Sequence, residues 1–171
     1  MPETNAHDGT YALVSGRLVP EKGFDSAIEA ARAAAVPLVV AGDGPDAGRL
    51  KNLAAGADVR FAGRVSEAEL FDLRRGAGAV LVPSRWEEPC PYSVLDALAA
   101  GVPVLASDIG GLPELVGETV ADGRWAEALA ALWHDPERRR QQGEAALQRA
   151  RGRHSAESYY NALMEIYGSG L

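Results

Sequence analysis

Pro37-Leu38-Val39-Val40-Ala41 is apolar at every position, and Gly42-Asp43-Gly44-Pro45 follows it directly. A strand with one face in water alternates apolar and polar residues, whereas a strand apolar throughout is covered on both faces, as in a parallel sheet. The same signature recurs at Tyr11-Ala12-Leu13-Val14, at Ala79-Val80-Leu81-Val82 and at Val102-Pro103-Val104-Leu105-Ala106, with a shorter strand at Val59-Arg60-Phe61. Between these runs the apolar residues fall at helical spacing: Ala27, Ile28, Ala31 and Ala35 within Phe24 to Ala35, a helix near Ala47 to Ala55, and another over Ser93 to Ala100. Ser66 with Glu69 three residues on has the spacing of a capping box and starts a helix through Leu73. From Trp125 onward the pattern is helical, broken near Asp135-Pro136 and Gly152.

Buried strands alternating with helices predict an α/β fold: a Rossmann-like doubly wound parallel sheet of about six strands, helices on both faces, and C-terminal helices. A chain of 171 residues can bury one sizeable core but not two. Residues 1–9 are expected to be a disordered or linker tail and residues 10–171 one Rossmann-like domain.

Charge and composition narrow the function. A net charge of −7 disfavours a general nucleic-acid binder, which needs a basic face. No apolar run is long enough to span a bilayer, and the first residues lack the basic-then-apolar pattern of a signal peptide. Cys90 is the single cysteine, which rules out an internal disulfide and fits a reducing compartment, so the expectation is a cytoplasmic protein. His7, His134 and His154 are scattered, there is no CxxC pair or HExxH, and no metal site is expected. The Arg-rich stretch from Arg138 to Arg153 is interspersed with Asp135, Glu137 and Glu144 and reads as a solvated helix face.

In doubly wound sheets ligands bind beyond the carboxyl ends of the strands, so the segments after each strand carry the chemistry. After the first strand, Gly16-Arg17-Leu18-Val19-Pro20-Glu21-Lys22-Gly23 places two cations in a Gly/Pro loop. Such a loop can aim a guanidinium and an ammonium at one diphosphate, each contact contributing about 1.5–3 kcal/mol; two solvated charges are the plainer account. After the fourth strand, Pro91 suits the first helical position, so a helix opens near Tyr92 with free amides that can hold an anion. Glu88 in the loop and Asp96 one turn inside can then face one cavity and accept hydrogen bonds from hydroxyls, or simply stabilise the helix start.

Taken together, these segments resemble the C-terminal domain of glycosyltransferase family 4, whose members have the two-domain GT-B fold. The matching residues are Gly16, Arg17, Lys22 and Gly23; Gly42-Asp43-Gly44-Pro45; Val59, Phe61, Gly63 and Val65; Glu88 and Asp96 separated by seven residues, then Ala97, Gly101, Pro103 and Val104; and Gly110-Gly111-Leu112-Pro113-Glu114. The likeness runs in order from about Leu13 to Glu114. It departs at Asp96, where the family usually has glutamate, at Pro91, where glycine is common, and over Val116 to Gly123, where a Gly-Leu-Leu-Val stretch is usual.

The resemblance implies a retaining, metal-independent glycosyltransferase, of hexosyltransferase type, that takes a UDP- or GDP-sugar donor and needs no cofactor. It implies that Arg17 and Lys22 hold the donor diphosphate, that Glu88 binds sugar hydroxyls and Asp96 the ribose, and that backbone near Gly16 and Val65 and the amides of Tyr92 and Ser93 complete the donor site. Glu88, Arg17 and Lys22 are the candidate catalytic residues. The acceptor would be bound by a separate N-terminal domain or partner chain, without which the isolated chain would transfer nothing. Two other readings stay open: a non-catalytic nucleotide-sugar module or subunit, and a dinucleotide-binding domain built on Gly42-Asp43-Gly44-Pro45-Asp46-Ala47-Gly48, with Arg64 meeting a 2′-phosphate.

Overall fold

The computed structural model describes residues 6–89, 91–116, 118–153 and 156–168. Five strands, β1 (Tyr11–Ser15), β2 (Leu38–Ala41), β3 (Val59–Gly63), β4 (Ala77–Val82) and β5 (Val104–Ala106), lie in the order β3-β2-β1-β4-β5 and pair in parallel throughout. Strand order reverses between β1 and β4, the place where such sheets bind ligands.

Side chains along each strand point alternately to the two faces, and both faces are covered. Ala12, Val14, Leu38, Val40 and Leu81 face one core, packed against α1 (Phe24–Ala34), Leu50 of α2 (Ala47–Leu53), and Trp125 and Leu129 of α6 (Trp125–Trp133). Leu13, Val39, Ala41, Val80 and Val82 face the other, which receives Val94, Ala97 and Leu98 from α4 (Tyr92–Ala99), Leu112 and Leu115 from α5 (Leu112–Val116) and Ala146 from α7 (Pro136–Arg153). The central strands β1, β2 and β4 read as continuous apolar runs because both halves of their alternation are buried, whereas β3 at the sheet edge is only half-buried with Arg60 exposed. The remaining helices are α3 (Glu67–Arg75) and α8 (Ala156–Gly168). The Ser66 capping box is formed, with Glu69 N–H on the Ser66 hydroxyl and the Glu69 carboxylate on Ser66 N–H.

Two expectations are corrected. The described residues form five strands, not about six: Val120 makes a single parallel bridge to Ser107, its amide on Ala106 O at 2.7 Å, and Gly123 at φ 76° then turns the chain toward α6. The tail expected over residues 1–9 is shorter at its inner end, because Ala6–Asp8 form a 3-10 turn with Ala6 buried. Buried Arg139 of α7 anchors that turn, donating to His7 O at 2.6 Å, Ala6 O at 3.3 Å and Trp133 O. Residues 1–5 lie outside the described residues, as does Cys90. The break expected near Gly152 is found: α7 ends at Arg153 and α8 begins at Ala156.

Candidate functional site

The loops leaving β1 and β2 are knitted together by their backbones. Gly16 N–H donates to Ala41 O at 3.0 Å, Leu18 N–H to Asp43 O at 2.9 Å, and Asp46 N–H to Leu18 O at 3.0 Å. Gly42 has φ 137°, and a Cβ there would sit 1.8 Å from Gly16 O, so only glycine allows this approach. Beyond the strand ends lies a cleft of about 530 Å³ lined by Gly16 and Arg17, by Gly42, Asp43 and Gly44, and by Arg64, Val65 and Leu70. Arg17 is exposed and lies 3.8 Å from Glu21, a weak i,i+4 contact.

The loops leaving β1 and β4, on either side of the strand-order reversal, also meet. Gly23, at φ 66°, lies against Pro83 so closely that a Cβ would stand 1.9 Å from Pro83 O. Arg85 N–H donates to Glu21 O at 2.7 Å and its guanidinium to Pro20 O at 3.2 Å, holding the 3-10 turn Pro20–Lys22. Within this frame Lys22 Nζ pairs with Glu88 Oε1. Glu88 is 12% exposed and Lys22 33%. The buried Ser84 hydroxyl donates to the same Glu88 oxygen at 3.1 Å, and Gly111 N–H donates to Glu88 O at 2.8 Å.

Arg85 reaches further, to Asp25 at 2.9 Å and Ser26 Oγ at 3.0 Å, while Arg49 approaches Asp25 from α2 at 3.4 Å. Burial by itself raises the Asp25 pKa, but the hydrogen bond and charge of Arg85, with Ser26 N–H and Arg49, outweigh it and hold the carboxyl below its ordinary value.

Pro91 is the N-cap residue and α4 begins at Tyr92, one position later than a proline in the first helical position implies. Val94 and Leu95 amides turn back to Pro91 O, while the Tyr92 and Ser93 amides stand at the end where a helix has no internal acceptors. The Tyr92 side chain is exposed.

Glu88 and Asp96, expected to face one cavity, each meet a cation of their own, Lys22 for Glu88 and Arg74 for Asp96. Asp96 meets Arg74 of α3 at 2.9 Å, with the arginine side chain 10% exposed and the aspartate side chain 50%. Burial lowers the Arg74 pKa, and the Asp96 charge opposes that shift. The arrangement therefore has three parts: Arg17, Gly16 and Val65 in the cleft; Lys22 with Glu88 at the reversal point; and Asp96 with Arg74 beyond Tyr92 and Ser93. The cleft lining includes none of Lys22, Glu88, Tyr92, Ser93 or Asp96.

Sequence reasoning missed Arg74, Ser84 and Arg85, and gave Arg64 only to the dinucleotide reading. Arg64 carried a usable signal, since it directly follows a strand. Ser84 and Arg85 lay inside the segment already singled out, but Arg74 ends a helix remote from every motif. A second cavity, about 390 Å³, lies behind β5 against α7; Pro103 and Val104 line it, but none of the candidate donor-site residues does. Among the described residues no three His, Cys, Asp or Glu side chains gather at metal-binding distances.

The glycine turn after β2 does not form a dinucleotide loop. A Cβ on Gly44 would lie 2.4 Å from Leu18 O, Gly44 N–H donates to its neighbour Asp43 Oδ1 at 2.8 Å, and Asp46 N–H is bonded to Leu18 O. These glycines serve chain packing, and two amides that could cradle a pyrophosphate are engaged.

The five-stranded parallel sheet covered on both faces, with its strand-end cleft, defines the class: a Rossmann-like α/β domain with its ligand side at the carboxyl ends of the strands. The chain belongs to the family "Glycosyl transferases group 1", whose family model matches residues 2–149. It is 32% identical over 191 residues to the D-inositol 3-phosphate glycosyltransferase 1 of Catenulispora acidiphila, an alignment covering 96% of this chain and 45% of that one. In fold it is similar to Staphylococcus aureus TarM, solved with Fondaparinux, alpha-GlcNAc-glycerol and UDP, at TM-score 0.81 and 17% identity, covering 97% of this chain and 36% of TarM. It is also similar to the C-terminal domain of a glycosyl transferase group 1 protein, LpcC, from Francisella tularensis, at TM-score 0.74 and 22% identity, covering 86% of this chain and 88% of that domain. The chain spans less than half the length of the curated relatives it matches. Among the described residues no helix is long and apolar enough to cross a membrane.

Proposed function

We propose that this chain is the donor-binding domain of a glycosyltransferase that takes a UDP- or GDP-sugar, acts with retention and without a metal, and works in the cytoplasm on an acceptor held by a separate domain. The observation that carries the reading is the meeting of Lys22 and Glu88 at the point where strand order reverses. A cation suited to a diphosphate and a carboxylate suited to sugar hydroxyls stand side by side, which supports a ligand in which a sugar is joined to a nucleotide.

In this reading Arg17 and Lys22 bind the diphosphate and stabilise the charge that grows on it as the glycosidic bond breaks. The Tyr92 and Ser93 amides support the same phosphates. Glu88 orients the sugar, while backbone at Gly16 and Val65 borders the nucleoside. The reach of the relatives beyond this chain supports an acceptor site on another domain, and TarM solved with UDP supports a uridine or comparable nucleotide. The Arg74 contact at Asp96 favours a second reading, a nucleotide-sugar-binding module without catalysis, because it engages the carboxylate expected on the ribose. Transfer by the chain joined to an acceptor domain separates the two.

Thermal-shift titration with UDP-, GDP- and ADP-glucose tests the binding function. A ligand at a hundredfold excess over its Kd stabilises the fold by about 2.7 kcal/mol. Lys22→Ala is expected to abolish most of that shift. A chain stabilised by none of these ligands is not a donor domain, and an unchanged response in Lys22→Ala removes Lys22 from the phosphate site.

A further inference from the structure

Lys22 has two anions to serve: the Glu88 carboxylate it meets in this structure and the diphosphate of the proposed donor. We propose that Lys22 exchanges between them, with Glu88 as a built-in competitor, so that the site holds an intact nucleotide sugar in preference to the bare nucleoside diphosphate left after transfer. The inference rests on the donor-binding reading above.

The two partners differ in their freedom to move. Glu88 is fixed from several sides: Ser84 Oγ donates to its carboxylate at 3.1 Å, Gly111 N–H donates to its carbonyl at 2.8 Å, and Gly110 packs so closely that a Cβ there would lie 2.8 Å from Glu88 N. The turn carrying Lys22 is held equally firmly by Arg85 and by the Gly23 contact with Pro83. The part left free to swing is the Lys22 side chain, a flexible four-carbon stem with a third of its surface in water. An anion that draws Lys22 away therefore leaves the Glu88 charge in place, 12% exposed and close by.

The cost of that depends on the ligand. A sugar on the diphosphate offers hydroxyls that donate to Glu88 and replace the lost ammonium contact. A bare nucleoside diphosphate offers no donor there, carries an additional ionisable oxygen on its terminal phosphate, and repels the carboxylate. Re-formation of the Lys22–Glu88 pair then favours departure of the product.

The test is isothermal titration of the chain with UDP, GDP and ADP and with their glucose esters, for the wild type and Glu88→Gln. Glu88→Gln is expected to tighten the bare diphosphate about two- to fivefold, the factor equivalent to a partly exposed ion pair, while weakening the glucose ester. Glu88→Ala, checked by circular dichroism, is expected to move the bare diphosphate in the same direction. In a Lys22→Met background the gain from Glu88→Gln is expected to shrink, because the contested cation is gone. A wild type that binds no nucleotide ends both this inference and the donor-binding reading. Binding by the wild type with no tightening in the Glu88 variants, or a gain undiminished in Lys22→Met, ends the exchange alone.

Discussion

Arg74 and Asp96 form an ion pair whose two ends differ in environment: the Arg74 side chain on α3 is 10% exposed, the Asp96 side chain on α4 50% exposed, and their charged groups lie 2.9 Å apart. The pair ties α3, which begins after the Val65 loop, to the helix that carries Tyr92 and Ser93, so one contact joins two parts of the candidate site. The asymmetry predicts unequal consequences of breaking it.

Asp96→Ala leaves a buried guanidinium without its anion, whereas Arg74→Met leaves a carboxylate that water can solvate and fills the volume with apolar atoms. Asp96→Ala is expected to destabilise by about 1–3 kcal/mol and Arg74→Met by less. Urea unfolding of both variants measures this, and the opposite order would show that Arg74 does not depend on Asp96.

Gly42 and Gly48 lie in one segment yet are predicted to respond oppositely to alanine. At Gly42 the positive φ and the approach to Gly16 O leave no room for a Cβ, so Gly42→Ala is expected to cost about 2–3 kcal/mol and to displace the cleft wall. Gly48 lies within α2 with nothing within 4 Å of a built Cβ, so Gly48→Ala is expected to stabilise by up to about 1 kcal/mol. Thermal unfolding of the two variants decides it.

Acid is predicted to loosen the clamp around Asp25. Its folded-state pKa lies below the ordinary 3.8, net of burial, through Arg85 and its other partners. A carboxyl depressed by folding stabilises the protein fully above the unfolded value and loses that contribution as pH falls through the lower, folded one. Wild-type stability is therefore expected to decline below about pH 5, and Asp25→Asn to show a flatter acid limb and a lower plateau at neutral pH. Parallel acid limbs in urea titrations at several pH values would remove Asp25 from this role.

Much of the site's material was legible without coordinates. The segments after β1 and β4 were found because parallel sheets leave their ligands at strand ends, and Lys22 and Glu88 were singled out within them. What they do to one another was not legible. The two residues are 66 positions apart, and their pairing depends on Gly23 seating against Pro83 and on Arg85 reaching the carbonyls of the Pro20–Lys22 turn. The same blindness hid Arg74, whose position at the end of α3 carries no sign of a partner on α4.

The class of fold follows from local pattern: apolar runs set the strands, helical spacing and the Ser66 cap set the helices, and the buried faces then required a parallel sheet between two layers. These are local properties, decided by side-chain period and backbone preference within a few residues. Tertiary structure alone decided that the sheet stops at five strands among the described residues, that Ala6–Asp8 belong to the packed body through Arg139, and which charge meets which. Ion pairs and loop contacts form between segments distant in the chain, and their geometry exists only once the sheet has brought the strand ends together.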